Sequence, residues 1–152
     1  DPEAKYKKLE EVAESFLNKH GRYPTFWLDK VCIDQSCIGE GLKVLPVNVM
    51  ACSRVLVLCG PTYVQRLWCA WELFVLFSFA HHDHLGNRAV WLPLQEEDSV
   101  LKDQLAGFDA RKAQCFNPNE EARLKFVIEA LGIDTFNCRI RSWAAQFCLL
   151  SA

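Results

Sequence analysis

The chain has 152 residues, of which 51% are hydrophobic and 24% are charged, and its formal net charge at pH 7 is −2. This length fits one domain with a single core, and the balance of residue types is that of an ordinary globular protein. A net charge this close to zero does not indicate binding to a nucleic acid or to an anionic membrane. The longest mainly apolar run, residues 73–80, is too short to span a bilayer. No segment with the pattern of a secretory leader opens the chain, so we expect a cytoplasmic protein without a membrane partner.

Eight cysteines are present, and most of them stand among apolar residues. In such surroundings a free cysteine behaves as a small buried hydrophobe. There is no Cys-x-x-Cys pair of the kind that holds zinc. We therefore expect reduced thiols, no disulfide and no zinc site, as is usual inside cells.

Helical and strand patterns alternate along the first half of the chain. Apolar positions recur at helical spacing over residues 5–20, and Gly21 supplies a stop signal. Residues 25–33 are rich in strand-forming types and predict a first strand. Residues 42–53 predict a helix with Pro46 in its first turn, where a proline is tolerated.

The middle of the chain contains the most apolar segments. Residues 54–59 form a near-continuous apolar run, which predicts a strand covered on both faces. Residues 67–80 are apolar almost all round and predict a buried helix. Residues 89–94 predict a third strand and residues 110–115 a fourth.

The last third predicts helices over residues 117–150. Asn117 can cap the first of them with Pro118 at its first position, and Gly132 ends it; residues 140–150 predict the last. Strands that alternate with helices imply a mostly parallel sheet with helices on both faces. We therefore predict one α/β domain spanning residues 1–152.

Two groups of ionisable residues could carry chemistry. The histidine-rich stretch 81–88 predicts a solvated loop, because consecutive loop residues rarely converge on one metal ion. Asp29 and Asp34 flank the end of the first predicted strand, where ligand-binding loops gather in open α/β sheets. The alternative for Asp29 is an ion pair with Lys30 or Lys43. The usual glycine-rich nucleotide loops are missing from the sequence.

The most specific pattern is Trp68-Cys69-Ala70-Trp71-Glu72-Leu73, which follows the strand 54–59, a Gly-Pro pair and Tyr63. Together with FWLDKVCIDQ upstream, this block resembles the heart of a TIR (Toll/interleukin-1 receptor) domain. The resemblance covers about residues 6–94. It implies a three-layer flavodoxin-like fold.

The same resemblance implies an activity. In TIR domains that cleave NAD, the glutamate matching Glu72 is catalytic and lies beside the nicotinamide ribose. Trp68 stands one helical turn before Glu72, so both side chains project from one face. The resemblance thus implies Glu72 as catalytic residue, a substrate-binding set of Trp68, Tyr63, Asp29 and Asp34, and NAD as substrate with no bound cofactor or metal. The alternative without a functional role is that Glu72 acts as a cap or pairs with Arg54 or Arg66.

The chain departs from the TIR pattern at its start, because it opens in a helix and the first central strand is absent. That strand would lie between the strands 25–33 and 54–59, so we expect an excerpt of a longer protein. The sequence leaves open whether the domain is an NAD glycohydrolase or a non-catalytic module. Such a module would self-associate or recruit other TIR-like domains through the loop 34–41. A heterokaryon-incompatibility-like domain is a third alternative.

Overall fold

The computed structural model describes residues 2–34, 38–79, 88–94 and 103–150, without the side chains of residues 38 and 144–150. Over these residues the fold is mostly helical with a small parallel sheet of two strands, which is compatible with the predicted α/β class. Its elements, in chain order, are α1 (Pro2–His20), α2 (Asp29–Cys32), α3 (Ile38–Ala51), β1 (Val55–Cys59), a 3-10 turn (Tyr63–Gln65), α4 (Leu67–Phe79), β2 (Ala89–Pro93), α5 (Pro118–Leu131) and α6 (Ile133–Leu150).

The two strands confirm the predictions for residues 54–59 and 89–94. β1 and β2 pair in parallel from Val55 opposite Ala89 to Cys59 opposite Pro93. The backbone N–H of Leu94 extends this ladder by donating to the Cys59 carbonyl at 2.9 Å. Among the described ranges, no strand pairs with the other edge of β1.

Helix α4 lies at the centre of the core, as its all-round apolar sequence predicts. It packs against α3, α5 and α6, and seven of its residues are buried. An aromatic cluster joins α4 to α6, with ring centroids 4.8 Å apart between Phe74 and Phe136 and 4.4 Å apart between Phe77 and Trp143. Burial of these large rings supplies much of the hydrophobic stabilisation.

The predicted strand at residues 25–33 is wrong. Residues 25–28 pair with no strand in the described structure, and Asp29–Cys32 forms the short helix α2. The Asp29 carboxylate accepts the backbone N–H of Lys30 at 2.7 Å, which favours a turn over a ladder. Val31 is 77% exposed, so no apolar strand face is buried there; Ile33 is buried and its side chain covers Gly41 of α3.

The predicted strand at residues 110–115 is also wrong. Residues 110–112 form a turn, and the segment retains a single parallel bridge between Arg66 and Gln114. The turn is held by side chains, because the buried Asn137 of α6 accepts the Ala110 N–H at 2.9 Å and donates to Asp109 at 3.0 Å. The first of these bonds occupies the Ala110 N–H, a backbone group that a strand would pair.

Helix α3 differs from its prediction at its start. It begins at Ile38, so residues 38–41 of the predicted loop 34–41 are helical and Pro46 lies inside the helix. Burial of Leu45 and Val49 offsets the missing backbone hydrogen bond at the proline. Arg88 caps the C-terminus of α3, because its guanidinium donates to the carbonyls of Val49 at 2.9 Å and Cys52 at 2.8 Å.

The remaining helices largely agree with the sequence. Gly21 follows α1 with φ +69, and none of the α1 side chains is buried. Asn117 caps α5 by accepting the Asn119 N–H at 2.9 Å, and Gly132 ends it with φ +87. Helix α6 begins at Ile133 instead of residue 140, because Phe136 and Asn137 are buried by the core. Of the histidine-rich stretch predicted as a loop, residues 81–87 lie outside the described residues.

Candidate functional site

The site forms where β1 ends and α4 begins. After Cys59 the chain turns, with the Tyr63 N–H donating to the Gly60 carbonyl at 3.0 Å, and a 3-10 turn leads into α4. The backbone bridge between Arg66 and Gln114 anchors this start. Helix α4 thus begins shortly after the carboxyl end of β1, the end at which ligands bind in open α/β sheets.

Trp68 and Glu72 face one another across one turn of α4. The indole Nε1–H of Trp68 donates to Oε1 of Glu72 at 3.2 Å, and both side chains are partly buried. The sequence-based prediction that these two side chains share a face is confirmed. Among the described residues, Glu72 forms no ion pair, so the alternative pairing with Arg54 or Arg66 is wrong.

The surroundings of Glu72 keep its carboxyl group largely neutral near pH 7. Burial, followed by the negative charge of Asp29, raises the pKa of Glu72 to about 8. The hydrogen bond from Trp68 and the positive charge of Arg66 act in the opposite direction but are weaker. A carboxyl with such a pKa changes its protonation state near physiological pH, which is typical of functional sites.

Tyr63 and Cys69 lie close enough to Glu72 for its charge to act on them. Burial, then the charges of Cys69 and Glu72, raises the pKa of the Tyr63 phenol well above its usual value. Burial and the charge of Glu72 raise the pKa of the Cys69 thiol to about 12. Cys69 is therefore a neutral, inert thiol and not a nucleophile.

The two aspartates predicted from sequence have different positions. Asp29 opens α2 and is close enough to Glu72 for its charge to raise that pKa. Asp34 is exposed and is not among the charges that shift the pKa of Glu72. Lys43, an alternative partner of Asp29, forms its ion pair with Glu40 at 2.7 Å.

Arg66 is a site residue that the sequence reasoning considered only as an ion-pair partner. Its charge lowers the pKa of Glu72 without a direct contact, and its backbone bridges to Gln114. The sequence feature that indicates a role for Arg66 at the site is its position two residues before Trp68, at the start of the helix. Its long-range pairing had no signal in the local sequence.

The described residues contain no group of three or more histidine, cysteine or acidic side chains arranged for a metal ion. The six cysteines whose side chains the structure describes carry free thiols. No helix within the described ranges combines the length and the apolar character needed to cross a membrane. Comparisons with protein-family models, with curated proteins and with solved structures found no match to the chain.

Proposed function

We propose that the chain is a cytoplasmic TIR-like signalling domain that cleaves NAD to nicotinamide and an ADP-ribose product through Glu72. The observation that carries this proposal is the Glu72 carboxyl group, held by Trp68 in the helix that follows β1 and beside Asp29. The proposed fold is the three-layer flavodoxin-like one.

The charge of the substrate makes the neutral Glu72 suitable for this reaction. NAD carries a cationic nicotinamide ring, and a nearby positive charge favours the ionised form of a carboxyl group. NAD binding would therefore release the Glu72 proton to solvent and leave a carboxylate beside the ribose. That carboxylate accepts hydrogen bonds from the ribose hydroxyls and stabilises positive charge developing on the sugar.

The reaction breaks the bond between the ribose C1′ and the nicotinamide nitrogen. Both electrons of that bond leave with nicotinamide, which becomes neutral. A water molecule then adds to C1′ and loses a proton, giving ADP-ribose. Tyr63, as a neutral phenol, and the Trp68 ring form the apolar wall against which nicotinamide would lie.

Measuring nicotinamide release by chromatography tests the proposal. The proteins to compare, as full-length chains, are the wild type, Glu72→Gln and Glu129→Gln, the last of which alters an exposed glutamate of α5. We expect release from the wild type and Glu129→Gln, and a loss of at least about 100-fold in Glu72→Gln, because one electrostatic stabiliser contributes that much. Equal rates in all three would contradict the role of Glu72.

A second candidate function is a TIR-type interaction module that assembles with itself or with other TIR-like domains. Its support is an exposed apolar group on α2 and α3, where Val31 is 77% exposed, Val47 69% and Val44 49%. Exposed apolar patches mark interaction sites. Two results together would favour this function over catalysis. The wild type would release no nicotinamide at concentrations where it self-associates, and Val47→Asp would lose that self-association in sedimentation velocity.

A further inference from the structure

The contact between Trp68 and Glu72 engages one carboxyl oxygen and leaves the other available. An indole nitrogen carries a single hydrogen, and here it points to Oε1 at 3.2 Å. Among the described residues, no second hydrogen bond reaches the Glu72 carboxyl group. The two oxygens of this carboxyl group are therefore not equivalent.

The donor is held firmly in place. The Trp68 ring packs against the hydrophobic core. Side chains on a helix lean towards its N-terminus, so the Glu72 carboxyl reaches back towards this fixed ring. Such a bond restricts the glutamate side chain to one orientation. The entropy cost of fixing its rotamer is therefore met during folding, before a substrate binds.

We propose that Trp68 is a positioning residue: its indole N–H holds Oε1 of Glu72 and thereby turns Oε2 towards the ribose hydroxyls of the substrate. This inference rests on the proposed NAD cleavage for the identity of the substrate, and on the structure alone for the orientation of the carboxyl group. It adds a second role to that of the Trp68 ring as part of the apolar wall for nicotinamide, and a phenylalanine at this position would keep an aromatic ring and remove only the donor.

The same helix offers a matched control. Trp71 is also partly buried, and its indole nitrogen is enclosed without a hydrogen-bond partner in the described structure. It stacks on Phe74 and Phe136 with ring centroids 5.7 and 6.4 Å away. Trp68→Phe and Trp71→Phe therefore each remove one indole N–H from α4, but only the first removes a donor to Glu72.

The orientation is tested in the wild-type protein by NMR. The Trp68 indole N–H resonance should move as Glu72 loses its proton, with a midpoint near its pKa of about 8, and Glu72→Gln should abolish that movement. Arg66, Asp29, Tyr63 and Cys69 surround this carboxyl, so the Glu72 carboxyl carbon is followed in the same titration to assign the midpoint. A Trp68 resonance that stays constant from pH 5 to 10 would overturn the inference, even if no variant folds.

The two phenylalanine variants extend the test. Because the indole N–H favours the ionised carboxylate, Trp68→Phe should raise the Glu72 midpoint by roughly half to one pH unit, whereas Trp71→Phe should not. In the nicotinamide assay, Trp68→Phe should lower kcat about tenfold or more with KM little changed. If the wild type shows no cleavage, the proposed function fails and the titration still decides the positioning role. Unchanged kcat and midpoint in Trp68→Phe would refute it.

Discussion

Replacing Glu72 by glutamine keeps the shape of the side chain and removes its ionisable group. In the unfolded chain the glutamate loses its proton at its ordinary pKa of 4.5, whereas in the folded protein burial and Asp29 raise the pKa to about 8. Between these values the folded state binds one more proton than the unfolded state. The free energy of unfolding of the wild type therefore falls as pH rises from about 4.5 to about 8, and Glu72→Gln escapes this loss.

The size of the effect follows from the two pKa values. They differ by roughly 3.5 pH units, and each unit corresponds to about 1.4 kcal/mol, so the upper limit is about 5 kcal/mol. Glu72 keeps some accessible surface, and water reaching the ionised carboxylate reduces this value. We expect the free energy of unfolding of Glu72→Gln to exceed that of the wild type by about 2–4 kcal/mol at pH 8 and by much less at pH 4.5.

The measurement is urea denaturation followed by circular dichroism at several pH values from 4.5 to 8. Glu121→Gln is the control of opposite sign, because the hydrogen bond from Lys125 lowers the pKa of the Glu121 carboxyl. The ionised Glu121 carboxylate stabilises the fold at pH values above its unfolded pKa, and this stabilisation is lost as pH falls. Glu121→Gln should therefore be less stable than the wild type at pH 8. A Glu72→Gln difference that does not grow between pH 4.5 and 8 would refute the electrostatic reasoning.

Three further predictions concern the framework around the site. Asn137→Ala should destabilise the fold by about 1–3 kcal/mol in urea denaturation, because the Ala110 N–H loses its acceptor; an unchanged midpoint would contradict the assignment. Arg88→Met should leave the last carbonyls of α3 without their donor and speed amide exchange in its final turn but not in α5. Cys69, buried and with a pKa of about 12, should react with iodoacetamide far more slowly than the exposed Cys32 in a mass-spectrometric time course; equal rates would show that it is accessible.

Local patterns were sufficient for the elements whose sequence periodicity or apolar run is strong. Helices α4 and α5 and both strands lie within a few residues of their predictions, because burial of an apolar face decides such segments. Helix α1 also follows its predicted range, although none of its side chains is buried. The i, i+4 spacing also placed Trp68 beside Glu72 before any contact was known. These features depend on neighbours close in sequence.

Tertiary contacts decided the rest. The segment 110–115 reads as a strand, yet Asn137 from α6 holds its start in a turn; Ile33 ends α2 by packing over Gly41 instead of extending a sheet. Neither contact leaves a local signal. The raised pKa of Glu72 also depends on tertiary contacts. The sequence shows only an acidic residue in an apolar helix, and the fold both buries this residue and brings the charge of Asp29 near it. The sequence by itself determined which carboxyl group stands at the start of α4, and the tertiary structure decided its protonation, because burial and through-space charge depend on residues distant in the chain.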